Sequence, residues 1–226
     1  MGAMGLPLPK QVLMIRTTGK EEGNAGYTRG AAIVLPPDEI NRPAALLKET
    51  VAHEFFHVLT RANPELKEKA YAAIGFKKCN EITLPPALAA RKITNPDAPN
   101  NDHYILLGVG HQAHSAVPVL LSKSAKYDMA RGGEFFNYLD FKWLVVESTD
   151  GKTFTPVMQN GEAELVDMSE VVGLEEQIGK NTTYTIHPEE ILADNFKLLV
   201  LGKKVESPEI LTKLRDSLGV KAATKP

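Results

Sequence analysis

Apolar residues crowd most densely between Leu46 and Leu59, where Leu46, Leu47, Val51, Ala52, Phe55, Phe56, Val58 and Leu59 cover nearly the whole circumference of a helix. A helix apolar on all sides is a buried one. Asn41 is the candidate N-cap, Pro43 fits the first turn, and the pattern runs to about Thr60. Ahead of it, Ala31–Leu35 reads as a strand stopped by Pro36-Pro37, and Val12-Leu13-Met14-Ile15 as a weaker one. Glu65 to Ile74 predicts a second helix ending at Gly75. From Phe76 to Asn101 no period is sustained, and prolines and asparagines mark a long loop of the kind that often carries function. Strands are expected at His103–Val109, Val117–Leu121, Phe141–Glu147, Thr155–Met158 and Thr182–Ile186. Two helices follow: one from His187-Pro188 to about Val200, and one capped by Ser207 and stopped by Gly219, with Leu211, Leu214 and Leu218 in one stripe. Lys221 to Pro226 reads as a frayed tail. These elements predict an α+β fold, one domain over residues 1–226 in which residues 77–186 form a loop and β-rich insertion between two helical parts.

Polar residues inside the most apolar helix change that picture. His53 and His57 stand four apart, so both imidazoles lie on one face and can serve one tetrahedral zinc ion. Glu54 sits beside that face, where a general base acting on a water would have to be. Burying two histidines and a carboxylate is costly unless they are satisfied, and a metal would satisfy all three. A catalytic zinc uses three protein ligands, so one more is needed. Glu190 in Glu190-Ile191-Leu192-Ala193-Asp194 is the leading candidate. It pairs at i,i+4 with Asp194, so one carboxylate can reach the metal while the other takes a histidine ring N–H. His187 is the rival ligand; Glu189 is disfavoured because no carboxylate stands four residues beyond it.

With these residues the chain resembles the gluzincin zinc metallopeptidases, the thermolysin-like group, in which HExxH and a later ExxxD build the site. The resemblance implies a zincin-like fold, Zn2+ as cofactor, and hydrolysis of peptide bonds in a peptide or unstructured protein. It implies His53, His57 and Glu190 as ligands, Glu54 as the base and Asp194 as the partner of His53 Nδ1. It covers two short segments about 130 residues apart, which implies a large insertion, and Glu189 stands where the family usually has asparagine. Zinc peptidases commonly lay substrate along an edge strand beside the active helix; Ala31–Leu35 is placed for that role, with Tyr27 and Arg29 flanking. A group must also stabilise the oxyanion. Tyr184 leads, with His103-Tyr104, Arg131 and His187 as other candidates. The competing reading is a catalytically inactive binding or interaction protein on the same scaffold.

Composition narrows the remaining classes. The chain has 226 residues, 43% hydrophobic, with 26 basic and 28 acidic side chains and a formal charge of −2. That balance gives no basic field for nucleic acid, and no apolar run is long enough to span a bilayer, which predicts a soluble chain. The lone cysteine, Cys79, excludes an internal disulfide. Zinc deformylases place a cysteine ligand before HExxH, whereas Cys79 follows it, so a buried apolar thiol is expected. His111 and His114 are too closely spaced for a convincing second metal pair and read as an exposed loop. Met1–Gly5 lacks the apolar stretch of a signal peptide and reads as a cloning scar, leaving localisation open. The sequence sets no oligomeric state.

Overall fold

Contacts divide the chain into two compact units, Met1–Ile74 with Ile178–Pro226, and Gly75–Gln177. The computed structural model describes residues 5–126, 128 and 135–220. The first unit opens with strands β1 (Leu13–Arg16), β2 (Tyr27–Arg29) and β3 (Ala32–Leu35), followed by helices α1 (Pro37–Ile40), α2 (Ala44–Ala62) and α3 (Pro64–Ala73). The second unit carries β4 (Lys77–Lys78), α4 (Pro86–Ala89), β5 (His103–Val109), β6 (Gln112–Ser122), β7 (Leu139–Glu147), β8 (Thr155–Pro156), β9 (Met158–Gln159), β10 (Glu162–Ala163), β11 (Leu165–Val166), β12 (Val171–Val172) and α5 (Glu175–Ile178), which ends at the junction. The chain then returns to the first unit for α6 (Pro188–Val200) and α7 (Pro208–Ser217). Arg131 and Lys221–Pro226 lie outside the described residues.

In the first unit, the helical period of α2 sorts its side chains between two partners. Leu47, Val51, Phe55 and Val58 recur at three- and four-residue steps and pack with Ile33 and Leu35 of the sheet. Phe56 points another way and meets Phe196 of α6, ring centroids 5.4 Å apart. Ile191, Leu192, Ala193 and Phe196 bring α6 into that core with no exposure. Burying large apolar side chains contributes roughly 1.5–3 kcal/mol each, so the α2–α6 seam is a firm platform. Only the second half of α2 is buried, however: burial sets in at Ala52, and Leu46 is exposed.

Several local expectations are corrected. Asn41 closes the short turn α1 instead of capping α2, because Pro37 at its first position starts helix early; Pro43 takes the capping place. Strand β3 is not an edge. The sheet order is β1-β3-β2, with β3 parallel to β1 and antiparallel to β2, so β2 is an outer strand. Residues 182–186 form no strand. There Thr182 Oγ1 accepts the Tyr184 N–H at 2.9 Å, and Asn181 bonds the backbone of Ser207 in both directions. Side-chain bonds of this local kind compete with ladder formation. Gly75 ends α3 region as expected, at φ 88°, a conformation glycine adopts without strain.

The second unit is an antiparallel sheet in the order β11-β7-β6-β5-β12, with β4 on β5 and β8 on β7. Its longest pairing, β6 with β7, runs from Ser115↔Val146 to Ser122↔Leu139. Alternate residues Val117, Val119 and Leu121 join Leu144, Val146 and Phe154 in one core. Cys79 is buried in that core, and burial, aided by the nearby Asp102 charge, pushes its thiol up to about 11. An apolar thiol is thus its role. Helices packed against a multistranded sheet make the fold α+β, and no helix among the described residues is long and apolar enough to cross a membrane.

Candidate metal centre

His53 and His57 project from consecutive turns of α2, their ring centroids 4.9 Å apart and nearly edge to face. Facing them is the first turn of α6. Pro188 starts that helix without needing a donor, and His187 caps it by accepting the Glu189 N–H on Nδ1 at 3.1 Å. The positive end of a helix favours carboxylates, and Glu189 and Glu190 occupy it.

Glu190 Oε2 lies 3.0 Å from His53 Nε2 and 3.7 Å from His57 Nε2. Donor atoms held about 2.0–2.2 Å from a tetrahedral ion stand about 3.3–3.6 Å from one another, so the spacing suits one cation. All three donors fall within 4.8 Å of each other. The other ring nitrogens are anchored as well. Asp194 Oδ1 sits 2.9 Å from His53 Nδ1, and Glu189 Oε1 sits 3.1 Å from His57 Nδ1. Each Nδ1 therefore faces a carboxylate, and both Nε2 atoms turn toward Glu190. Glu54, Glu189, Glu190 and Asp194 are all buried. Carboxylates at that depth require pairing or a metal, and this donor set fits a divalent cation.

The cluster matches the gluzincin zinc-binding motif. It is consistent with a catalytic zinc-peptidase site. Comparison of the chain with protein-family models, curated proteins and solved structures found no match. The likeness to the gluzincin motif therefore rests on these side chains and their geometry.

Electrostatics in this cluster follow from the carboxylates. Burial opposes charge on His53, but hydrogen bonds donated by its ring to Asp194 and Glu190 outweigh it and push the imidazole up to about 10. Burial likewise opposes the Asp194 charge, yet His53, Lys197 and Thr182 hold its carboxyl below the usual range. Glu189 is lowered against the same burial penalty by bonds from His57, Thr60 and Tyr71. The site thus attracts positive charge, which a proton or a metal ion can supply.

Glu54 is buried on α2 next to His53. Both line a groove of about 260 Å³ with Gly26, Thr50, Arg42 and Lys197. A Cβ on Gly26 would come within 3.1 Å of Leu35, a tight contact, and 3.6 Å from Glu54 Oε1, an ordinary one, so Gly26 lies beside the glutamate at the start of β2.

The rival third ligand, His187, is displaced: its ring serves the helix start, and Glu190 joins the two histidines. Tyr184 is 40% exposed on the segment leading to α6, and its N–H bonds Thr182, whose hydroxyl donates to Asp194. His103 belongs to the second unit, buried with Nδ1 2.6 Å from Asp102 Oδ1. His111 lies in the exposed turn between β5 and β6, and among the described residues neither it nor His114 joins a metal-binding group. Tyr27 is buried, while exposed Arg29 pairs with Glu22 at 3.0 Å. Glu189, disfavoured as a ligand in the sequence, lies outside the donor group but meets His57 Nδ1. The signal was its place immediately before Glu190 in the first turn of α6.

Proposed function

We propose that the protein is a zinc-dependent peptidase of zincin-like fold that hydrolyses peptide bonds in a peptide or unstructured protein. The observation that carries this reading is the convergence of His53, His57 and Glu190 on one point with Glu54 buried alongside. Zinc held by these three residues would polarise the scissile carbonyl and acidify the attacking water. Glu54 accepts a proton from that water as its oxygen bonds to the carbonyl carbon, then delivers the proton to the departing amine as the C–N bond breaks. Asp194, receiving the His53 Nδ1–H, holds that imidazole with Nε2 toward the metal.

Outer strand β2 is the place for an extended substrate to add as a further strand, since Gly26 at its start lies against Glu54 and the groove. Tyr184 supplies the hydroxyl that stabilises negative charge on the carbonyl oxygen. Tyr184→Phe is expected to lower kcat about 10²-fold with KM nearly unchanged; equal kcat in the two proteins would remove Tyr184 from the mechanism.

Incubation with an unfolded protein or a peptide library tests the whole reading. Cleavage is expected, to stop with a zinc chelator and to resume when zinc is restored. Zinc-loaded protein that binds peptides but never cleaves them would instead establish an inactive binding protein on this scaffold.

A further inference from the structure

Glu189 is a buried carboxylate outside the three-donor cluster, 3% exposed, and the peptidase chemistry described above gives it no task. Its surroundings are built around it. His57 Nδ1 lies 3.1 Å from Oε1, and the Thr60 hydroxyl donates to that same oxygen at 2.5 Å. The Tyr71 hydroxyl donates to Oε2, also at 2.5 Å. These partners come from two helices, α2 and α3, and all three are buried. An ionised carboxylate accepts and cannot donate, so beside it His57 must carry its proton on Nδ1.

We infer that Glu189 is a positioning residue for the metal: through His57 it fixes the tautomer and raises the donor strength of a ligand on α2, as Asp194 does for His53. The proposal rests on the zinc-peptidase reading of the same cluster. Consecutive carboxylates of α6 then grip one imidazole at both ends, Glu190 near Nε2 and Glu189 at Nδ1. Helix geometry makes this possible, because adjacent residues diverge by about 100° around the axis and can pass on either side of a ring. Thr60 and Tyr71 keep the carboxylate from rotating away. The result is a site in which both histidine ligands are backed by negative charge. Such a carboxylate strengthens metal binding through the ring, and its loss typically costs 10–100-fold in affinity. An amide in its place could preserve the shape while withdrawing the charge.

Zinc competition between a chromogenic chelator and the full chain tests this, comparing wild type, Glu189→Gln and Asp194→Asn. Wild-type protein that takes up no zinc would overturn the zinc reading itself. With wild type binding one zinc, Glu189→Gln is expected to raise the zinc Kd about 10–100-fold, in the range of Asp194→Asn. The rise in melting temperature on adding zinc should shrink in step. A merely structural carboxylate would lower the melting temperatures of metal-free and zinc-loaded protein alike and leave Kd within threefold of wild type, which would overturn the proposal. Should Glu189→Gln fail to fold, 15N-histidine NMR of zinc-loaded wild type decides the matter. His57 protonated on Nδ1 and coordinated through Nε2 supports it, and the reverse tautomer overturns it.

Discussion

Glu54→Gln is expected to lower kcat by about 10²- to 10⁴-fold while zinc content and fold stay as in wild type. The substitution keeps the side chain's length and shape in a buried place, since Glu54 is 4% exposed. It removes only the capacity to take and return a proton. Glu54 lies outside the His53, His57 and Glu190 donor set, which the substitution leaves intact. Zinc analysis by atomic absorption, thermal melting and single-turnover cleavage of an unfolded substrate would be measured on the same preparation. Undiminished turnover in the glutamine variant would assign proton transfer to another group and dismantle the mechanism.

His57→Ala should act on a different quantity. It removes a donor atom and also the ring that Glu189 engages, so zinc affinity should fall by more than about 100-fold, beyond the cost of losing an outer partner. The metal-free protein should suffer too. His57 is fully buried and shares Glu189 with Thr60 and Tyr71, and taking a hydrogen-bond partner from a buried polar group costs about 1–3 kcal/mol, more when that group is charged. Urea unfolding in chelator measures that loss apart from zinc. A variant that kept both its zinc and its stability would show that the two imidazoles do not share a cation.

The parts of this site legible in the sequence were those governed by local periodicity. The i,i+4 spacing put His53 and His57 on one face, and His187-Pro188 with following acids announced the start of α6, which begins at Pro188. Helices α3 and α7 were also set by proline starts and apolar stripes. Pairing between distant segments was not legible. Ala31–Leu35 reads as a strand whichever neighbours it has, and only the fold puts β1 and β2 on its two sides. Thr182–Ile186 has strand-like residues, but bonds from Thr182 and Asn181 hold it in turns. Glu189 does not stand out in the sequence, because nothing four residues beyond it completes a carboxylate pair. Its contacts with His57, Thr60 and Tyr71 reach across to other helices, and no spacing rule connects them to it.

The interruption of the first unit by Gly75–Gln177 has a consequence in time. During synthesis α2 emerges with both histidines long before Glu190 is made, and at about 5–20 residues per second the 133 positions from His57 to Glu190 take roughly 7–27 seconds. Through that interval the nascent chain holds two imidazoles without their carboxylate. A hydrolase assembled this way has no finished cutting edge until the whole inserted unit and the start of α6 have been made.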